Sequence, residues 1–170
     1  MFSLRDAGRF GRSACWTRDP GGAPHAYQET PHWTAERAGR PPGGEAYRLV
    51  VEVLADHAFA GCVTARETDS RAGRFKTGIE IIRGHRRKGY AAEATELVLT
   101  CMFAEQRCNK CEAEVYAFNE ASLALYRRLG FVEERRLRQH EFFAGNCHDV
   151  VQLGITTAEH WATHQRQSVR

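Results

Sequence analysis

Apolar positions along the chain change period several times, and each change marks an element. Leu4, Ala7, Phe10 and Ala14 recur at helical offsets, which predicts a first helix from Leu4 to about Trp16, ended by Asp19-Pro20-Gly21-Gly22. The stretch to Gly44 is loop-rich, with a short helix expected near Thr34–Ala38 and a breaker cluster at Pro41-Pro42-Gly43-Gly44. The pattern then switches to strands at Ala46–Leu54, Phe59–Glu67 and Phe75–Ile82, with a turn at Ala55-Asp56-His57. The third of these ends in Gly78-Ile79-Glu80-Ile81-Ile82, apolar and β-branched like a buried strand. From Tyr90 onward strong helix formers dominate, with apolar Leu97, Val98, Cys101 and Met102, and a helix is predicted. Lys110–Phe118 alternates as a strand does. Asn119-Glu120-Ala121-Ser122 opens a helix through Leu129, with Gly130 as its C′ residue. Phe131–Phe143 and His148–Ile155 read as a long hairpin around Ala144-Gly145-Asn146, and a short polar helix closes the chain from Thr157. The order is helix, strands, helix, strand, helix, strands: an α/β or α+β sheet with helices on both faces.

Composition narrows the class without naming a chemistry. A chain of 170 residues fits one domain with a proper core. The formal charge of +3 is too slight to argue for nucleic acid, and no apolar run approaches a membrane span. The N-terminus, MFSLRDAGRF, has no apolar secretory region, so a cytoplasmic protein is expected. Of the six cysteines only Cys108 and Cys111 lie close together, and no second Cys or His pair follows at zinc spacing. Reduced, mostly buried thiols and no metal are expected.

Charge matters locally. Between the Gly78–Ile82 strand and the helix from Tyr90 lies Arg83-Gly84-His85-Arg86-Arg87-Lys88-Gly89, a basic loop punctuated by glycine. Strand, basic glycine loop and helix together bind phosphate: unpaired N–H groups of the first helical turn point at the anion, and the helix dipole adds partial positive charge. Gly89 lets the backbone come close to a ligand. Neither Gly-x-x-x-x-Gly-Lys-Ser/Thr nor Gly-x-Gly-x-x-Gly is present, so this is not a nucleotide P-loop or a dinucleotide fingerprint.

Two motifs in order carry a family resemblance. Arg86-Arg87-Lys88-Gly89-Tyr90-Ala91 resembles the Arg/Gln-x-x-Gly-x-Gly/Ala signature for acetyl-CoA in the GNAT acyltransferases. Downstream, Asn119-Glu120-Ala121-Ser122-Leu123-Ala124-Leu125-Tyr126-Arg127-Arg128-Leu129-Gly130-Phe131 resembles the second GNAT motif, Asn-x-x-(Ser/Ala)-x-x-x-Tyr-x-x-x-Gly-Phe. His148-Asp149-Val150-Val151 followed by Leu153-Gly154 is similar to the RimJ/RimL branch, which acetylates ribosomal-protein N-termini, polyamines and other amines. The resemblance runs from about Tyr47 to Trp161. It implies a single GNAT domain over residues 1–170, with one mixed, mostly antiparallel twisted sheet. Residues 75–131 would bind acetyl-CoA, and residues 1–46 would form a divergent segment on the acceptor side. Relatives open with a strand carrying Leu-Arg, matched here only by Ser3-Leu4-Arg5, so that strand is either vestigial or the chain starts late.

The resemblance also implies roles. Backbone N–H groups of Arg87 to Ala91 (Arg87, Lys88, Gly89, Tyr90, Ala91) would take the pyrophosphate of acetyl-CoA, with Arg86, Arg87 and Lys88 adding charge. Backbone groups of Ile81, Ile82 and Arg83 would pair with the pantetheine arm like an added strand, and an N–H near Ile81 would be the oxyanion donor. Asn119 would either touch the arm or cap its helix, and Ser122 would lie near the CoA or simply fill the first turn. Tyr126 would protonate the leaving thiolate, the alternative being a core tyrosine. Glu80, the one carboxylate in the central strand, would deprotonate the amine through a water or else pair with an arginine. His85 reads as a solvated loop residue and His140 is left open.

The leading function is an acetyl-CoA:amine N-acetyltransferase. A non-catalytic acyl-CoA sensor or subunit is the alternative, and a thioesterase lacks a nucleophile–base signature. The partners expected are a primary-amine acceptor and, for assembly, a second copy as a homodimer, with no nucleic acid or membrane.

Overall fold

A computed structural model describes residues 2–6 and 47–168 of the chain. Their elements are β1 (Phe2–Asp6), β2 (Tyr47–Val53), β3 (Phe59–Asp69), β4 (Arg74–Ile81), α1 (Tyr90–Ala104), β5 (Lys110–Tyr116), α2 (Glu120–Arg128), β6 (Val132–Phe143), β7 (Asn146–Thr156) and α3 (Thr157–Ser168). A 3-10 turn spans Arg83–His85. Every strand from β2 onward, α1, α2 and α3 fall where the apolar pattern predicts them. At the start of the chain the expectation fails: Leu4–Asp6 belong to β1, paired antiparallel with β2 through Phe2↔Val53 to Asp6↔Leu49. The rest of the predicted first helix, and the short helix near residues 34–38, lie outside the described residues.

The strands form one seven-stranded sheet in the order β1-β2-β3-β4-β5-β7-β6. All neighbours are antiparallel except β4 and β5. That sequence follows from chain length between partners. β2 to β4 and β6 to β7 are joined by short turns, whereas α1 intervenes before β5 and permits a parallel return. The sheet is therefore mixed and mostly antiparallel, the α/β class expected.

Alternating side chains divide the sheet's faces. Phe75 and Cys111 sit opposite each other in the β4–β5 register, on the face covered by α1. Phe75 meets Phe103 of α1 edge-on at 5.8 Å. Ala94, Val98, Leu99 and Met102 bury the rest of that helix face, with Val51, Val63, Ala113, Val115, Leu153 and Ile155 completing the core. α3 joins the same layer through His160, 2% exposed, whose ring lies 5.4 Å from Phe103. Thr156 and Glu159 start α3 as a capping pair. The Glu159 carboxylate accepts from the Thr156 N–H and hydroxyl, both at 2.8 Å, and the Glu159 N–H donates back to that hydroxyl. These bonds from Thr156 hold the Glu159 carboxyl below its ordinary range. Among the described residues no helix is long and apolar enough to cross a membrane. All five described cysteines are free thiols, with Cys62, Cys108 and Cys111 buried and Cys101 and Cys147 exposed.

Candidate active site

The site begins with a fault in the sheet. β4 and β5 pair only from Arg74↔Lys110 to Lys76↔Glu112. β4 continues to Ile81 and β5 to Tyr116 without further pairing between them, so the two strands part and leave an edge inside the sheet. Backbone direction along that edge follows from the other side of β4. The Ile82 N–H donates to Ala60 O at 2.9 Å, and Glu80 and Gly78 repeat that orientation toward β3. Ile79 and Ile81 alternate with them and turn their N–H groups into the opening together with the Ile79 C=O, while the Ile81 C=O accepts from Arg86 Nε. An unpaired strand edge of this kind accepts an extended, amide-bearing arm.

This register corrects one sequence expectation. Ile82 has its N–H on Ala60 O and its carbonyl on the His85 N–H, both at 2.9 Å. Its backbone is held by the protein, and Ile79, which the sequence reading passed over, takes its place beside Ile81. No local signal marks the choice, because it depends on how β3 is registered against β4.

Immediately after the strand, the chain turns through Arg83–His85 and enters α1. Gly89 is the N-cap of α1 at φ +90°, where side chains are strained, and it supplies no side-chain cap. Its carbonyl accepts from Ala92 and Glu93. The amides of the first turn therefore face outward, toward an external acceptor. A Cβ built on Gly89 meets nothing within 4 Å, so the constraint there is backbone conformation together with open space for a ligand. Arg87 is left-handed as well, at φ +65°. Arg83, Arg87 and Lys88 are exposed around this helix end.

Arg86 behaves differently from its neighbours. Its Nε donates to Ile81 O at 2.9 Å, folding the side chain back onto the end of β4. It ties loop to strand, and its charge acts on Glu80. One nitrogen of Arg86 thus ties the loop to the strand, while the residue itself stays exposed beside Arg87 and Lys88. His85 lies in the same turn, its ring 6.0 Å from Tyr90.

Glu80 is half-buried on the sheet face opposite α1. Burial raises its carboxyl above the ordinary range, against the opposing pull of Arg48 and then Arg86. Arg48 and Arg86 thus lie near enough to act on the carboxylate, and desolvation outweighs them. Cys62, its partner across β3, is likewise pushed up by burial.

On the other wall, β5 runs into α2. Asn119 caps α2, its Oδ1 accepting from the Ser122 N–H at 3.2 Å. The open question about Asn119 is answered on the capping side for its oxygen, while Nδ2 remains a donor. Ser122 is the capped first-turn residue. One turn on from Ser122, Tyr126 is 3% exposed and packs edge-on against Phe131 at 4.9 Å. Burial drives its phenol far above the ordinary value, with the Cys111 thiol adding to the rise and Arg66 opposing it. The group is fully protonated at neutral pH. Among the described residues no hydrogen bond engages its hydroxyl. His140 stands apart, exposed on β6, the outermost strand.

The class of protein is an acyltransferase, in which a parted sheet lies beside an amide-rich helix start flanked by cations. The chain belongs to the Acetyltransferase (GNAT) domain family, which matches residues 2–132. It is 28% identical over 141 residues to the SPbeta prophage-derived uncharacterized N-acetyltransferase YokL of Bacillus subtilis, covering 83% of this chain and 77% of YokL. It is 29% identical over 117 residues to the uncharacterized N-acetyltransferase p20 of Bacillus licheniformis, covering 69% and 66%. In fold it is similar to the spermidine N-acetyltransferase of Vibrio cholerae solved with CoA and spermine. That match has a TM-score of 0.74 and 22% identity, over 94% of this chain and 98% of the other.

Proposed function

We propose that the protein transfers an acetyl group directly from acetyl-CoA to a primary amine. The observation that carries this reading is the parting of β4 and β5 beside the outward-facing amides of α1. In it, the pyrophosphate sits on the first turn of α1, with Arg87 and Lys88 adding charge and Arg83 alongside. The pantetheine arm pairs with Ile79 and Ile81, and the Asn119 amide approaches it from the other wall.

The chemistry then follows. A neutral amine attacks the thioester carbonyl, and the Ile81 N–H receives the charge that develops on oxygen. The carbon–sulfur bond breaks, its electron pair goes to sulfur, and the Tyr126 phenol, too weak an acid for complete transfer once burial has raised it, steadies the departing thiolate through its O–H. The amine's surplus proton passes through water to the Glu80 carboxylate, and solvent supplies the proton that the thiolate takes up. Glu80 suits this task because burial raises its basicity above that of an ordinary carboxylate. A cytoplasmic setting, where acetyl-CoA is supplied, goes with this reading, and the hairpin sequence favours the RimJ/RimL-like branch, whose acceptors are protein N-termini and polyamines.

Thiol release from acetyl-CoA, measured with and without a panel of primary amines, tests the proposal. It expects release only with an amine, one acetylated amine per thiol. Release at the same rate without amine would replace a transferase with a hydrolase, and binding of acetyl-CoA with no release on any amine would favour a sensor.

A further inference from the structure

A ring cluster stands at the outer end of the β5 wall. Tyr116 and Phe118 stack nearly parallel, 18° between planes and 5.2 Å between centroids. His148 of β7 meets Phe118 edge-on at 4.8 Å and Tyr116 at 6.3 Å, and Phe143 of β6 lies 6.1 Å beyond. The His148 Nε2 is 3.2 Å from Phe143 O, which fixes the imidazole across the hairpin. Despite these contacts Phe118 is 45% exposed, so part of the residue is open to solvent. Neither cofactor binding nor acetyl transfer uses any of these rings.

Their position ties them to the amine side of the site. Tyr116 lies four residues beyond the last β4–β5 rung, Lys76↔Glu112, and Glu80 lies four residues beyond it on the other strand. The two side chains therefore stand level, one on each wall, on the face away from α1. Phe118 directly precedes Asn119, the cap of the helix that carries Tyr126.

On β5 itself the carboxylates are already engaged. The carboxylates that precede Tyr116 on its face already have cationic partners: Glu114 pairs with Lys76 at 3.0 Å, and Glu112 meets Lys110 at 3.9 Å and the Gln152 amide at 3.4 Å. What this wall offers a ligand is flat apolar surface, and a parallel stack is best extended by another planar ring.

We infer that the Tyr116–Phe118–His148 cluster, with Phe143, is an acceptor subsite selecting primary amines that carry an aromatic ring, whether free arylalkylamines or peptides with an aromatic first residue. This rests on the N-acetyltransferase reading. The test compares kcat/KM for 2-phenylethylamine, 2-cyclohexylethylamine, butylamine and spermidine, with peptides beginning in Phe or Gly distinguishing the two sources of the ring. Phenylethylamine should exceed butylamine and spermidine by roughly tenfold and the cyclohexyl amine by a smaller factor, through KM. Phe118→Leu, which keeps apolar bulk without the flat face, should bring the phenyl-to-cyclohexyl ratio to about one. Phe118→Ala should collapse the phenyl-to-butyl ratio, with melting temperature and acetyl-CoA binding confirming a folded protein. Turnover that ignores the ring in the wild type, or ratios unchanged in both variants, would overturn the subsite and leave the transferase standing. No turnover of any amine would overturn both.

Discussion

Tyr126 and Glu80 carry opposite consequences of the same physical cause. Burial disfavours charge, so it keeps the phenol protonated and makes the carboxylate a better base. Tyr126→Phe retains the ring contact with Phe131 and deletes the proton. It should lower kcat by roughly 10²–10⁴-fold with little change in KM for acetyl-CoA. Among the described residues no hydrogen bond to the hydroxyl is lost, so the melting temperature should hold. Normal turnover in the folded variant would remove the phenol from the mechanism. For Glu80 the sign is fixed by its raised folded-state pKa. The neutral form is favoured on folding, so stability is full below the unfolded carboxyl pKa and is lost as pH rises through the folded value. Glu80→Gln should therefore melt above wild type at pH 7, converge with it below about pH 4.5, and lose amine turnover at both. A lower melting temperature at pH 7 would mean that Arg48 and Arg86 dominate after all. The succession of strand, basic loop and helix from Gly78 to Ala91 was legible from residue type and spacing. The folding back of Arg86 onto Ile81 was not, because a side chain's choice between phosphate and a nearby carbonyl depends on the turn at Arg83–His85.

At the scale of elements, periodicity located the strands and helices because each is long enough to repeat its pattern. β1 is the exception. Five residues fit either period, and what decides is β2, more than forty residues away. Gly61 is a second feature hidden from local reading. A Cβ there would overlap the backbone oxygen of Glu80, so only glycine lets β3 approach β4 at the level of the opening. Gly61→Ala should cost about 1–3 kcal/mol, seen as a melting temperature lower by roughly 2–4 °C per kcal/mol. It should also weaken acetyl-CoA binding, since the shift falls on Glu80 and Ile81. Wild-type stability and affinity in this variant would show that the strands have room to spare.

Across the whole molecule, function follows from a single discontinuity. Antiparallel neighbours hold β1 to β4 on one side and β5 to β7 on the other, while three rungs join the halves. Motif and alternation could announce a sheet with a phosphate-binding helix, but which amides face the gap, and which rings meet at its rim, are settled by register and strand order. The most direct test is an amide-resolved NMR titration of the protein with CoA. The account predicts large shifts at Ile79, Ile81 and Gly89 to Ala91, with Ile82 far less affected because its amide stays on Ala60. Shifts concentrated on the β6 edge, or an Ile82 amide that moves while Ile81 does not, would contradict it.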